Sequence, residues 1–182
     1  MLLIFGLGNV GSEYNNTYHN MGFMCLDSFL NKYNLILNKH KYFGDFIETN
    51  LFGEKVLFIK PTTFMNNSGE CVKTFMHKFK ASEDDILVIY DDYDLNIGEV
   101  RYRNFGSSGT HNGMRDIVDR LKTESFKRLR IGIKEENNKI PLINYVLSHI
   151  KNVKSFDKVF EKTDAFIEDF IKNKGKIENK SL

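Results

Sequence analysis

Two short apolar runs constrain this chain most: Asp85–Tyr90 (DILVIY) and, at the start, Leu2–Phe5 (LLIF). Neither alternates with polar residues, so each reads as a strand buried on both faces, under helices above and below. Segments with helical spacing fall between and after them. Met21, Cys25 and Phe29 share one face of a helix from about His19 to Tyr33, and Val72, Phe75, Met76 and Phe79 form a second stripe. Ile117, Val118 and Leu121 mark a short helix, and Phe156–Ile171 a long amphipathic one. Further strands are predicted at Phe43–Glu48, Lys55–Lys60, Glu99–Asn104 and Lys127–Lys134. Strands alternating with helices predict an α/β fold: a single-domain, three-layer α/β/α arrangement around a twisted, mixed, mostly parallel sheet.

A chain of 182 residues fits one domain spanning 1–182 and buries a real core. Its 41% hydrophobic and 13% aromatic content excludes a disordered segment. No internal repeat or linker divides it, and the closing stretch at 172–182 (KNKGKIENKSL) is polar enough to predict fraying. The first run, MLLIFGLG, lacks a basic start and meets glycine too early for a signal peptide or a membrane span, so a cytoplasmic protein is expected. Cys25 and Cys71 lie in apolar helical patterns and read as reduced, buried thiols. The net charge of +2 is uninformative, but all six arginines fall between Arg101 and Arg130. That window reads either as a solvated face paired with Asp116, Asp119 and Glu124, or as a patch whose guanidinium forks grip phosphate.

Four polar clusters stand at the ends of predicted elements: Asn9 with Tyr14 and His19, Met65 with Asn66, Asp91 with Asp94, and His111 with Asn112. Strand ends of an open α/β sheet converge on one crevice, which would bring a histidine, a carboxylate and several carboxamides together. An imidazole titrates near pH 6.5 and takes a proton from water, and a carboxylate on its other nitrogen sets the tautomer. Carboxamides donate and accept without charge, so they hold a peptide backbone or steady an oxyanion. The plainer alternatives are a structural bond for His19, a turn carboxylate for Asp91 and a helix cap among Asn66, Asn67 and Ser68. His111 is a competing base, and His40, His77 and His149 read as surface or satisfied residues.

Other chemistries fit less well. No serine sits in a G-x-S-x-G elbow, and no His, Cys or Asp cluster has metal-ligand spacing. Gly6-Leu7-Gly8-Asn9-Val10-Gly11 is a literal G-x-G-x-x-G after a strand. A dinucleotide site also needs a helix opening at the third glycine and an acid ending the next strand, whereas here SEYNNTYHN intervenes and Asp27 falls within a helix.

Five segments taken in order, GLGNVGSEYNNTYHNMGF, KPTTFMNNSG, YDDYDLNIG, GTHNGMRDI and RLRIGI, resemble bacterial-type peptidyl-tRNA hydrolase over Leu2 to about Ile133, with a weaker likeness through INYVL near Val146. The resemblance implies a monomeric α/β enzyme that cleaves the ester between a peptide and the 3′ end of tRNA. It implies no cofactor, no metal, no membrane and no obligate protein partner. By the same likeness His19 is the base that activates water and Asp91 its orienting partner. Asn9, Asn66 and Asn112 hold substrate, with Tyr14 and Met65 lining the same crevice, and Arg103 and Arg130 clamp a tRNA phosphate. The chain departs from the family pattern at Val10, Tyr18, Phe105, Thr110 and the Lys134-Glu135-Glu136 turn, none of which removes a proposed catalytic group. An RNA-binding module using the same arginines without turnover is the alternative from another class.

Overall fold

The structure is a computed structural model that describes every residue from Met1 to Leu182. The helices are α1 (Met21–Lys32), α2 (Ser68–Phe79), α3 (Asn112–Leu121), α4 (Leu142–Val146) and α5 (Asp157–Lys172). The strands are β1 (Leu2–Gly6), β2 (Lys39–Lys41), β3 (Gly44–Leu51), β4 (Glu54–Pro61), β5 (Ile86–Asn96), β6 (Val100–Arg103), β7 (Lys127–Lys134) and β8 (Lys180–Ser181). They form one eight-stranded sheet in the order β2-β3-β4-β1-β5-β7-β6-β8. The central strands β4, β1, β5 and β7 run parallel, and antiparallel pairs flank them on both sides.

The unbroken apolar runs are explained by this burial. Leu2 and Ile4 pack with α1 and α5 on one face, while Leu3 and Phe5 pack with α2 and α3 on the other. In β5, Leu87 and Ile89 take the first face, and Val88 and Tyr90 the second. Burial of such side chains contributes roughly 25 cal/mol per Å² of apolar surface and is the main term holding the layers together. The expected α/β/α architecture is therefore present, with its parallel strands at the centre.

One close approach positions the site. A Cβ added at Gly22 would lie 2.3 Å from the Ile89 carbonyl oxygen and 2.5 Å from the Leu7 amide. Glycine there lets the first turn of α1 rest directly on the ends of β1 and β5. The Phe23 amide donates to the Leu7 carbonyl at 3.0 Å and fixes the approach.

Two expectations are corrected. Where fraying is expected, the polar tail ends paired with the sheet: Lys180 and Ser181 lie opposite Tyr102 and Arg101 of β6, and the Leu182 amide donates to the Val100 carbonyl. Backbone bonds need no apolar pattern, so a polar composition carries no sign of them. The asparagines and serine before α2 form no side-chain cap; a 3-10 turn over Met65–Asn67 leads into the helix, and the Ser68 hydroxyl donates to the Met65 carbonyl at 2.8 Å.

Candidate active site

The site lies at the C-terminal ends of β1, β4 and β5, where helix and loop starts crowd together. β1 passes through Gly6 and Leu7 to Asn9, whose backbone is clamped by a second carboxamide. The Asn9 amide donates to Asn20 Oδ1 at 2.7 Å, and Asn20 Nδ2 donates to the Asn9 carbonyl at 3.0 Å. Asn9 Oδ1 in turn accepts from the Met65 amide at 2.7 Å. The side-chain oxygen of Asn9 is thus engaged, and its Nδ2 is left as the donor of a residue that lines the cavity. Phe64, just before Met65, holds φ 60 and ψ 161, a backbone conformation in which a Cβ is strained. The Asn9 anchor holds Met65 against that strain.

His19 occupies a 3-10 turn over Tyr18–Asn20, immediately ahead of α1, and is buried. Its Nδ1 lies 2.8 Å from Asp91 Oδ2. Asp91, 1% exposed, continues β5 just beyond the apolar run. Its other oxygen, Oδ1, lies 2.9 Å from His111 Nε2. His111 is the N-cap of α3, and its Nδ1 accepts from the Met114 amide at 3.1 Å. An Nδ1 that accepts carries no proton, so the ring is neutral and donates from Nε2 to Asp91. Both nitrogens of His111 are therefore spoken for. His19 donates from Nδ1 to the same carboxylate, which leaves its Nε2 as the unprotonated nitrogen. Of the two histidines, His19 is the one that keeps a ring nitrogen without a hydrogen-bond partner in the structure.

Electrostatics follow from the same contacts. Burial opposes a charged imidazole at His19, but the charge and hydrogen bond of Asp91 outweigh it and raise its pKa above the ordinary 6.5. Burial likewise opposes ionisation of Asp91, yet the two imidazoles pointing at it hold the carboxyl far below the usual range. Asp91 is an anion throughout the working pH range.

His19, Asp91 and His111 place donor atoms within 4.8 Å of one another, a potential metal-ligand cluster that the irregular spacing 19/91/111 conceals in the sequence. The fit is poor. Coordination through His111 Nε2 would require moving its proton to Nδ1, against the Met114 N–H.

All nine residues to which the resemblance gives a role, together with Asp94 and His111, line one cavity of about 470 Å³. Tyr14 and Phe64 stack edge to face on one side, with ring centroids 6.4 Å apart. Asn66 and Asn112 are exposed on the rim, and Met65 is buried in the wall. At the other end stand Arg103 and Arg130. Strand alternation puts Arg101, Arg103, Arg128 and Arg130 on one face of β6 and β7, and register sets Arg101 opposite Arg130 and Arg103 opposite Arg128. They are not equivalent. Arg128 is buried and donates to the carbonyls of Phe126, Ser107 and Glu124, so it is a scaffold. Arg130 Nε donates to Asp92 Oδ2 at 2.7 Å, leaving the outer guanidinium nitrogens free. Arg103 Nη1 donates to the carbonyls of Tyr102 and Lys180, so the C-terminal strand steadies it. Arg120 pairs with Asp116 along α3.

Asn20 and Asp92 carry no sign of their parts in the sequence, because each acts by holding another residue of the site, and His111 is singled out there as a competing base but not as a partner of Asp91. Leu142, Ile143 and Val146 of α4 form one cavity wall. Cys25 and Cys71 are free and buried, and His40, His77 and His149 are exposed, as expected.

The family model described as Peptidyl-tRNA hydrolase matches residues 3–181. Among proteins of that name, the one from Lactobacillus johnsonii is 45% identical over 176 residues, covering 96% of this chain and 95% of its own. That from Staphylococcus saprophyticus is 41% identical over 175 residues, covering 95% and 92%. A crystal structure of peptidyl-tRNA hydrolase in complex with N-propanol superposes with a TM-score of 0.83 at 34% identity, covering 96% of this chain and 88% of that one. The Acinetobacter baumannii peptidyl-tRNA hydrolase superposes with a TM-score of 0.77 at 33% identity, covering 95% and 85%. With the family model matched over residues 3–181 and relatives 41% and 45% identical over nearly the full length, the chain belongs to the peptidyl-tRNA hydrolase family.

Proposed function

We propose that this protein hydrolyses the ester between a peptide, or an N-blocked aminoacyl group, and the 3′ ribose of tRNA. Membership of the family supports the reaction, and the observation that carries the mechanism is the 2.8 Å contact between His19 Nδ1 and Asp91 Oδ2. That contact leaves His19 Nε2 free to take a proton from a water molecule facing the ester carbonyl. The resulting hydroxide-like oxygen adds to the carbonyl carbon. The charge that develops on the carbonyl oxygen is assigned to neutral N–H donors, Asn9 Nδ2 and the rim carboxamides of Asn66 and Asn112, a role that their lining of the cavity supports. When the tetrahedral species collapses, the imidazolium returns its proton to the departing 3′ oxygen, giving a free peptide acid and free tRNA. Asp91 stabilises the transient imidazolium and holds the ring in the productive tautomer. Positioned acid–base catalysis of this kind contributes on the order of 10²–10⁴ in rate.

The arginines support the tRNA side. The Arg101–Arg130 and Arg103–Arg128 pairs concentrate positive charge on one face of β6 and β7, part of it already met by Glu99 and Asp92. Arg103 and Arg130 reach the cavity and are assigned to a tRNA phosphate, which positions many tRNAs without reading bases. Tyr14 and Met65 are assigned to the wall against the acyl group. No helix is long and apolar enough to cross a membrane. A monomer working in the cytoplasm without an obligate partner is the simplest state for this substrate.

Incubation of the protein with N-acetyl-aminoacyl-tRNA tests the reading. Release of N-acetyl amino acid with recovery of intact tRNA is expected. Stoichiometric binding of the tRNA without release would leave an RNA-binding module instead.

A further inference from the structure

We propose that Tyr18 is a positioning residue, locking the α4 wall of the cleft to the segment that carries His19 through a hydroxyl–carboxylate contact with Glu135. The proposal rests on the hydrolase reading above and deepens it. Tyr18 is 3% exposed and directly precedes His19. Its hydroxyl donates to Glu135 Oε1 at 2.6 Å. Its ring stacks on Tyr145 of α4, with centroids 4.5 Å apart and planes 15° from parallel. The Tyr145 hydroxyl donates to the Ile133 carbonyl at 2.6 Å, so α4 is tied back to the end of β7.

The backbone repeats the connection. The Tyr18 amide donates to the Ser148 carbonyl, and the Ile150 amide to the Asn16 carbonyl, just beyond α4. Tyr18 thus joins three things that bear on the cleft: the base that follows it, the helix that forms a wall, and the turn leading towards that helix. Burial together with the Glu135 hydrogen bond pushes the phenol pKa upward, so Tyr18 remains a donor at any pH the enzyme meets.

An alternative role as plain core filling fits less well. The phenol is aimed at a half-buried carboxylate across the turn at residues 134–136, and a phenylalanine would pack the same volume. Helix α4 is only five residues long and buries only Tyr145. A helix so short has little stability of its own, so its place depends on such ties. The consequence is a wall whose position follows the His19 segment, which sets how well the substrate's acyl end is held beside the base.

The test compares Tyr18→Phe, Glu135→Ala, Glu135→Gln and the Tyr18→Phe/Glu135→Ala double variant with the wild type. Tyr18→Phe and Glu135→Ala are each expected to raise KM for N-acetyl-aminoacyl-tRNA about tenfold, the scale of a hydrogen bond to a charged group, with kcat within about twofold. The double variant should be no worse than either single, and Glu135→Gln, which keeps an acceptor, should recover most of the loss. Hydrogen exchange reads the wall without substrate: amides of 142–148 should exchange faster in Tyr18→Phe and Glu135→Ala, while those of β5 stay protected. Unchanged KM and unchanged exchange would overturn the proposal, as would additive losses. Should the wild type fail to release N-acetyl amino acid, the hydrolase reading fails, and the exchange experiment still decides the tie.

Discussion

His19 Nδ1 and Asp91 Oδ2, 72 residues apart in the chain, meet at 2.8 Å in the wall of the cleft. The first fold-level reason is Gly22, which lets α1 begin against β5, so that the residues just ahead of the helix overhang the strand's end. The chemical consequence is an imidazole whose protonation is governed by two opposing effects. Burial lowers its affinity for a proton, and the carboxylate raises it by more.

This balance sets the pH dependence. A base must be unprotonated, so kcat/KM should rise with pH through one ionisation lying above the ordinary histidine value of roughly 6.5. In Asp91→Asn only burial remains, so that ionisation should move down, to or below about 6.5. The rate should fall by about 10²–10⁴ because the ring loses its orienting partner. A pH–rate profile of both proteins measures this. The sign for stability is the reverse: a raised folded pKa favours the fold at low pH, and that share is lost as pH rises through it.

Arg130 and Asp92 offer a second check. Burial disfavours the guanidinium, but the hydrogen bond and charge of Asp92 more than compensate and raise its pKa. Asp92 therefore acts as an aiming device for the outer nitrogens. Arg103→Ala with Arg130→Ala should raise KM for tRNA substrates and reduce the slope of log KM against log salt by about 1 for each phosphate no longer neutralised. A short ester mimic without RNA should be cleaved at an unchanged rate. Asp92→Asn should raise KM for tRNA about tenfold while leaving the salt slope nearly intact. Steady-state kinetics from low to moderate salt distinguish these outcomes.

Asn20→Ala removes both partners of the Asn9 backbone, whose amide is then buried without an acceptor. Such a loss costs about 1–3 kcal/mol. Because Asn9 also holds Met65, activity should drop beyond what the stability change explains. Denaturant unfolding alongside kinetics at full folding measures the two separately.

Asp164 lies far from the chemistry, on α5. It accepts from the Ser28 hydroxyl at 2.9 Å, but its Oδ1 is buried without a partner. Burial raises its pKa, against the Ser28 bond and the Lys32 charge. The folded state binds that proton more tightly than the unfolded chain, so stability declines as pH climbs above about 4. Asp164→Asn should stabilise the protein by about 1 kcal/mol at pH 7 and by nothing near pH 3. Thermal melts at the two pH values measure the difference.

The pattern of what can be read in the chain has physical causes. The strands Leu2–Phe5 and Lys127–Lys134 and the long final helix are legible because burial on one or both faces imposes an apolar period. Strands β2 and β8 carry Lys-His-Lys and Lys-Ser, exposed or half-exposed edge pairs held by backbone bonds that leave no trace in side-chain pattern. Helix α4 shows no helical period in the sequence because it is five residues long and buries only Tyr145. Within the site, His19, Asp91, Asn9 and the arginines stand out at the ends of elements. The part played by His111 does not, because it turns on which lone pair meets the Met114 amide, and Asn20 acts only through the backbone of Asn9.

The most direct test is single-turnover cleavage of N-acetyl-aminoacyl-tRNA by His19→Ala, with circular dichroism and tRNA affinity matched to the wild type. A drop of at least about a hundredfold in the cleavage step, with binding retained, is expected of a base removed from an intact site. Cleavage within a few fold of the wild type would contradict the assignment of His19 and, with it, the mechanism.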